Sequence, residues 1–346
     1  MISPEELQGT ANAPSSQALL TVNDLVVEFP TRHGPLTAVD GVSFDVASGE
    51  ILGVVGESGA GKSLTGAAII GLLDPPGRIA GGSIHLHDQR IDQLSAEQMR
   101  TLRGKSIGVV FQDPMTSLNP LYTIAEQLIE TIRTHMSLAE SAARERAIGL
   151  LDDVGIPAAA KRIDDYPHQF SGGMRQRVVI ALALAAEPDL VIADEPTTAL
   201  DVSVQAQIID VLKEQCSERG ASVILITHDM GVIAEAANRV AVMYAGRLVE
   251  IGPVKEIIQQ PRHPYTQGLM GSIPSLSHAS DRLVQIPGNM PSISERPAGC
   301  AFHPRCSQVL ERCAAQQPIM AGGDQRRIAC WLYDDAELSR NDGRPV

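Results

Sequence analysis

Aromatic side chains are scarce in this chain of 346 residues: one Trp, five Tyr and five Phe, 3% of the whole. The 44% of residues that are hydrophobic must therefore build a core from Ala, Val, Ile and Leu, a composition that suits an α/β enzyme. Long apolar runs are missing too. The longest, Val178–Ala186, falls far short of the roughly 20 residues that a membrane helix needs, so any role at a membrane has to come through partner chains. Positive charge is also in short supply. A net charge of -13 produces a field that repels phosphate backbones and argues against DNA or RNA as substrate, while still allowing a local basic patch to hold a nucleotide. No secretory signal is visible. Met1–Ala18 carries Glu5 and Glu6 where a signal peptide is positive and lacks its apolar centre, so residues 1–18 read as a disordered cytoplasmic tail.

The length exceeds that of one typical domain and leaves room for a main core of about 250 residues plus an appendage. Alternating apolar residues in Leu20–Phe29 and Val39–Val46 predict antiparallel strands, and the wholly apolar Ile51–Val55 predicts a buried one. Strand and helix signals then alternate: Gly61–Leu72 helical, Ile107–Phe111 strand, Leu190–Ala193 strand, Val202–Cys216 helical and Val223–Thr227 strand. This order predicts a parallel-sheet α/β domain preceded by a small antiparallel layer. Between the strands at Phe111 and Leu190 lies a mostly helical stretch, Leu138–Val154 included, long enough to make its own lobe. After Gly252 the periodicity decays among Pro261, Pro264, Pro274, Pro287, Pro291 and Pro297, which predicts a loop-rich tail.

Gly56-Glu57-Ser58-Gly59-Ala60-Gly61-Lys62-Ser63 fits G-x-x-x-x-G-K-S/T between an apolar strand and a helix, the context that a phosphate-binding loop requires. Glycines let backbone N–H groups turn inward around phosphates, the helix N-terminus adds partial positive charge, Lys62 reaches the β- and γ-phosphates, and Ser63 can bind Mg²⁺. Leu190–Glu195 is an apolar strand ending in two acids, which puts Asp194 where it can hold Mg²⁺ and Glu195 where it can polarise an attacking water. Alone, two acids at a strand end are equally compatible with a solvated terminus. Their position after a phosphate loop and a helical insertion gives them weight.

Phe170-Ser171-Gly172-Gly173-Met174-Arg175-Gln176 resembles the signature segment of ATP-binding-cassette (ABC) ATPases, which usually begins with Leu and has Gln after the glycines. Phe170 keeps an apolar anchor, and Met174 leaves the Ser-Gly-Gly turn intact. A Ser-Gly-Gly turn by itself is more often a plain helix cap; the resemblance implies that Ser171, Gly172 and Gly173 begin a helix and bind the γ-phosphate of ATP held by an opposing cassette. Further matches follow in the family's order. Gln112 resembles the Q-loop glutamine, which contacts Mg²⁺ and the membrane subunit. Thr198-Ala199-Leu200-Asp201 resembles the D-loop, and His228 the switch histidine that stabilises the γ-phosphate and attacking water. Phe29 matches the aromatic residue that stacks on adenine, with a core Phe as the other reading. The resemblance implies a P-loop NTPase fold of ABC type over residues 19–252: an antiparallel β layer, a parallel core sheet and a helical subdomain at about 113–180, followed by a loop-rich extension over 253–346.

Arg262-His263-Pro264-Tyr265-Thr266 and Gln112-Asp113-Pro114-Met115-Thr116-Ser117-Leu118-Asn119-Pro120 are similar to segments of the ATPases of bacterial dipeptide, oligopeptide and nickel importers. The similarity implies ATP hydrolysis coupled to import of short peptides, with nickel, glutathione or an opine as other cargoes for the same engine. It also implies a second, different cassette as partner, two transmembrane permease subunits, an extracytoplasmic peptide-binding protein and a place on the cytoplasmic face of the inner membrane. A non-transport ABC ATPase usually carries a long coiled-coil insertion or two cassettes, and neither is present.

Of five cysteines, Cys216 stands on a predicted helix, while Cys300, Cys306, Cys313 and Cys330 cluster near the end. Without an export signal, such a cluster favours metal over disulfides. Its spacing, C-x5-C-x6-C-x16-C, is not the two close pairs of a zinc finger. A four-thiolate centre can hold loops that lack a thick apolar core; iron–sulfur, Zn²⁺ and plain buried thiols all remain open on the residues alone. The resemblance implies a structural 4Fe-4S cluster, with Zn²⁺ as the alternative.

Overall fold

The computed structural model describes residues 18–197, 202–272, 285–323 and 325–333. Strands β1 (Ala18–Thr31) and β2 (Gly34–Ala47) form a long hairpin. Next comes β3 (Ile51–Val55), after which β4 (Arg78–Leu86) and β5 (Gln89–Arg90) return to the hairpin and complete an antiparallel sheet in the order β2-β1-β4-β5. Ala18, expected at the end of a disordered tail, instead pairs with Ala47 and opens β1.

The second sheet contains β3, β6 (Ile107–Val110), β7 (Leu190–Asp194), β8 (Ser222–Ile226), β9 (Arg239–Tyr244), β10 (Arg247–Pro253), β11 (Ala321–Gly322) and β12 (Arg327–Ile328). Its order is β11-β12-β10-β9-β3-β8-β7-β6. From β9 to β6 the pairing is parallel, and beyond β9 it is antiparallel. Strands β3, β7 and β8 are covered on both faces, which explains their unbroken apolar sequences. Ile51, Val191 and Val223 face one side of the sheet, while Leu52, Ile192 and Ile224 face the antiparallel layer on the other.

The helical stretch begins sharply where Thr123 and Glu126 form a capping box on Ile124–His135, satisfying two helix-end donors reciprocally. Leu128 and Ile132 of that helix pack with Ala147, Leu150 and Leu151 of Glu140–Asp153 and Val178 of Gly172–Leu184. These residues belong to the same buried cluster as Val191 and Leu225 of the sheet, so the lobe shares a core with the sheet. The helix expected over 61–72 spans Lys62–Ile69; Gly71, at φ 63, turns the chain out of it. The tail departs more from expectation. Although rich in loops, it contributes β11 and β12 to the edge of the core sheet, with Ile328 opposite Glu250 of β10. Among the described residues, no helix is long and apolar enough to cross a membrane.

Candidate active site

The loop from Gly56 to Ser63 joins the buried β3 to the helix Lys62–Ile69. At Gly56, φ is 154 and an added Cβ would lie 2.3 Å from the carbonyl oxygen of Met243, so only glycine lets the loop sit against β9. Gly61, at φ 97, caps the helix in the left-handed region and aims its N-terminus into the loop. The Lys62 ammonium, 5% exposed, donates to the carbonyl oxygens of Gly56 at 2.8 Å and Glu57 at 3.2 Å. Burial pulls its pKa below the ordinary lysine value, opposed by Glu195, Asp194 and Glu57. Ser58, Gly59 and Ala60 complete the turn, with Ser58 and Gly59 exposed and Ala60 buried.

Ser63 Oγ donates to Asp194 Oδ1 at 3.0 Å although the two residues are 131 positions apart. Burial raises the Asp194 pKa, against the Ser63 hydrogen bond that lowers it. A hydroxyl and a half-buried carboxylate are a hard oxygen pair, and this fits Mg²⁺, which takes one or two protein ligands and completes its shell with phosphate and water. Glu195 follows at the strand end. Its carboxylate accepts from Gln112 Nε2 at 2.9 Å through Oε2, and its Oε1 lies 3.2 Å from His228 Nδ1. Glu195 has φ 48, a left-handed conformation that costs a non-glycine residue about 1 kcal/mol or more and concentrates at functional sites. The two residues picked out singly, Gln112 and His228, thus converge on one carboxylate. Such a carboxylate can take a proton from a water placed before it.

Ser171 caps Gly172–Leu184, its Oγ accepting from Met174 N at 3.3 Å. An added Cβ at Gly172 meets nothing within 4 Å, so this face of the turn is open. Arg162 stacks over the Phe170 ring at 4.6 Å and donates to the Gln169 carbonyl oxygen at 3.0 Å, which fixes the approach to the turn. Phe29, half-buried near the end of β1, is opposite Leu36 and against Gly77. Asp201 and the rest of Thr198-Ala199-Leu200-Asp201 lie outside the described residues.

Cys300, Cys306, Cys313 and Cys330 line one cavity. All are free thiols, and the Cys300 amide donates to the Cys313 carbonyl oxygen at 2.8 Å. Burial pushes the Cys330 thiol up to about 11 and raises Cys300 and Cys306 as well. Among the described residues, no three His, Cys, Asp or Glu side chains are gathered closely enough to hold a metal ion. Cys216, buried on the helix Val202–Arg219, belongs to the main core.

Sequence reasoning missed two neighbours of the phosphate loop. Tyr265 Oη accepts from the Glu57 amide at 2.9 Å, and Arg305 Nη1 donates to both Glu57 carboxylate oxygens at 3.0 and 3.1 Å. Tyr265 stood in a quoted motif but without a role. Arg305 lies one residue before Cys306, and no local pattern ties it to a loop 248 positions earlier.

A strand–glycine loop–helix unit carrying a buried Lys, a Ser–Asp oxygen pair and a clamped Glu defines a P-loop nucleoside triphosphatase. Residues 39–198 match the family described as ABC transporter, and residues 249–313 match the oligopeptide/dipeptide transporter C-terminal region. The dipeptide transport ATP-binding protein DppD of Escherichia coli is 47% identical over 331 residues, covering 95% of this chain and 99% of the relative. The protein of the same description from Bacillus subtilis is 48% identical over 320 residues, 92% of this chain and 96% of the relative. Among solved structures, the dimeric ATP-binding cassette MJ0796 in a post-hydrolysis state bound to ADP and Pi superposes with a TM-score of 0.62 at 26% identity, covering 68% of this chain and 98% of that one. The cassette cbiO1 from Clostridium perfringens, part of the ABC transporter complex cbiONQ, gives 0.61 at 30% identity over 70% and 92% of the two chains. The chain belongs to the ABC transporter ATP-binding proteins, in the dipeptide and oligopeptide branch.

Proposed function

We propose that this chain binds and hydrolyses ATP to power import of di- and oligopeptides through a membrane transporter. The observation that carries this reading is the convergence of Gln112 and His228 on Glu195, beside the Ser63–Asp194 pair and Lys62. Residues 19–252 form the cassette, with 113–180 as its helical subdomain, and 253–346 form the extension. Lys62 exchanges the Gly56 and Glu57 carbonyl oxygens for β- and γ-phosphate oxygens, and the Gly56–Ser63 amides surround them. Phe29 stacks on the adenine. Ser63 and Asp194, with Gln112 nearby, would hold Mg²⁺, which neutralises charge on the phosphates. Glu195 takes the proton of a water whose oxygen attacks the γ-phosphorus as the bond to the β-phosphate oxygen breaks; His228 orients both partners.

Ser171, Gly172 and Gly173 complete the site of a second cassette, and Asp201 lies at the interface between the two. The hydrogen bonds of Ser171 stay within its own helix, as expected of a half-site awaiting a phosphate from elsewhere. The resemblance to this branch favours a related but different chain as the second cassette. Two permease subunits dock near the exposed Phe111, Met115, Leu121 and Tyr122, an apolar patch around the Gln112 segment of the kind that marks an interface. The chain then works on the cytoplasmic face of the membrane, with an extracytoplasmic binding protein delivering peptide. In proteoliposomes holding the permeases, both cassettes and the binding protein, ATP-dependent dipeptide uptake is expected; ATP-dependent nickel uptake without peptide uptake would reassign the cargo.

The four thiols support a 4Fe-4S cluster in the extension. Four thiols lining one cavity are a donor set that suits an iron–sulfur cluster as well as Zn²⁺. When bound, the cluster supplies a cross-link for a segment with a thin core. Anaerobic purification followed by iron, sulfide and zinc analysis tests this: stoichiometric zinc without iron would reverse the metal.

A further inference from the structure

Glu57 is an anomaly within an anion site, because its carboxylate belongs to the loop that has to receive a polyphosphate. It acts on Lys62, whose ammonium rests on the Glu57 carbonyl oxygen. A free carboxylate here would compete with phosphate for that ammonium and repel the incoming charge. The extension prevents this from two directions. Arg305 receives the carboxylate on Nη1, while its Nε and Nη2 donate to the carbonyl oxygens of Pro287 and Gly288 at 2.8 and 3.2 Å. With its side chain 7% exposed, the guanidinium lies beside the rings of Tyr244 and Phe302, whose centroids are 5.8 and 6.0 Å away. Tyr265 meanwhile accepts the Glu57 amide, fixing the main chain. Tyr244, Tyr265 and Phe302 pack edge-on or tilted with centroids 4.7–5.4 Å apart, so the arginine has little freedom to leave.

We propose that Arg305 is a positioning residue of the nucleotide site: it neutralises Glu57 and holds it away from the phosphate position, making the cysteine-bearing extension part of the apparatus that binds ATP. This rests on reading the loop as the ATP site. It gives the extension a role that neither cargo recognition nor metal binding requires, since the pair spans 248 positions of chain to act on one carboxylate.

The test is a charge-removal cycle in the assembled transporter, read as affinity for a fluorescent ATP analogue and as the split between KM and kcat. Arg305→Ala leaves Glu57 unpaired and is expected to weaken ATP binding on the order of tenfold, raising KM more than it lowers kcat. Arg305→Lys, which keeps a charge but loses the fork, is expected to fall between. Glu57→Gln alone leaves the buried Arg305 without its carboxylate and completes the cycle as the second single variant; Arg305→Ala combined with Glu57→Gln should recover most of the loss seen in Arg305→Ala. Wild-type affinity in Arg305→Ala would overturn the proposal. So would a loss that Glu57→Gln does not relieve, because a merely structural strut fails in that way. Lys62→Ala is the control: if it too leaves ATP affinity unchanged, the ATP-site reading fails and not the role of Arg305.

Discussion

The cassette core and the C-terminal extension are held together by different forces. In the core, every residue of β3 and β8 is buried, and the two apolar clusters are almost wholly aliphatic. Hydrophobic burial dominates there, and its periodicity is written locally. The extension buries few large apolar residues, Phe302 and Ile328 among them, and depends on directed contacts. Glu250, fully buried on β10, accepts from Arg326 Nη2 at 2.6 Å and from the amides of Arg262 and His263 at 3.2 and 3.0 Å. A chain poor in aromatics has placed Tyr244, Tyr265 and Phe302 together at the junction between the two regions. Chemistry is thus expected to fail from changes in the cassette, and the junction from changes in a few charged or aromatic groups.

The largest expected effect is on catalysis. Glu195→Gln should lower hydrolysis by on the order of 10²- to 10⁴-fold with ATP binding retained, since positioned general-base catalysis is worth about that much. Lys62→Ala should instead lower binding and hydrolysis together, because it removes a ground-state phosphate contact. Steady-state turnover and nucleotide affinity measured side by side separate the two; near-normal turnover in Glu195→Gln would take the base assignment away.

Next come two stability changes of similar size but different reach. Glu250→Gln removes the buried carboxylate 2.6 Å from Arg326 and leaves that arginine only the half-exposed Glu256 at 3.9 Å, at a cost of about 3 kcal/mol. Leu128→Ala opens a cavity in the cassette, at about 2–5 kcal/mol. Hydrogen exchange is expected to show the first as loss of protection confined to β12 and the extension, and the second as loss throughout the helical subdomain and sheet. Identical patterns would mean that the two regions are one cooperative unit.

The smallest effect is a pH dependence. His263, completely buried, has its pKa lowered from 6.5 to about 3 by burial, and its neutral Nδ1 accepts from Tyr265 N at 3.0 Å. The unfolded ring binds protons that the folded one refuses, so this stabilisation is complete above the ordinary value of 6.5 and is lost as pH falls toward the folded value. Between pH 7 and pH 5 the loss is about 2 kcal/mol. His263→Asn keeps a capping acceptor without titrating, and its melting temperature should vary less over that interval; an unchanged pH slope would exclude His263 as the cause.

The same contrast decides what the sequence made legible. Strands β3, β7 and β8 fall within a residue of where apolar runs placed them, and the phosphate loop, the Ser171 cap and the Asp194-Glu195 strand end have the local context that their motifs require. Gln112 and His228 were recognisable only by order along the chain, and the fold adds that both reach Glu195. The attachment of the extension was not legible. Strand β12 is two residues long and finds β10 from far away in sequence, and the Arg305–Glu57 pair has no period or spacing that announces it. Contacts made by single long side chains across hundreds of positions leave no local trace.

An ATP-bound structure of the assembled transporter carrying Glu195→Gln tests the composite nucleotide site most directly. ATP is expected between Lys62 and Ser63 of this chain and the signature turn of the second cassette, with Ser171 of this chain facing the other nucleotide. ATP enclosed by one chain alone, or absent from the Gly56–Ser63 loop, would contradict it.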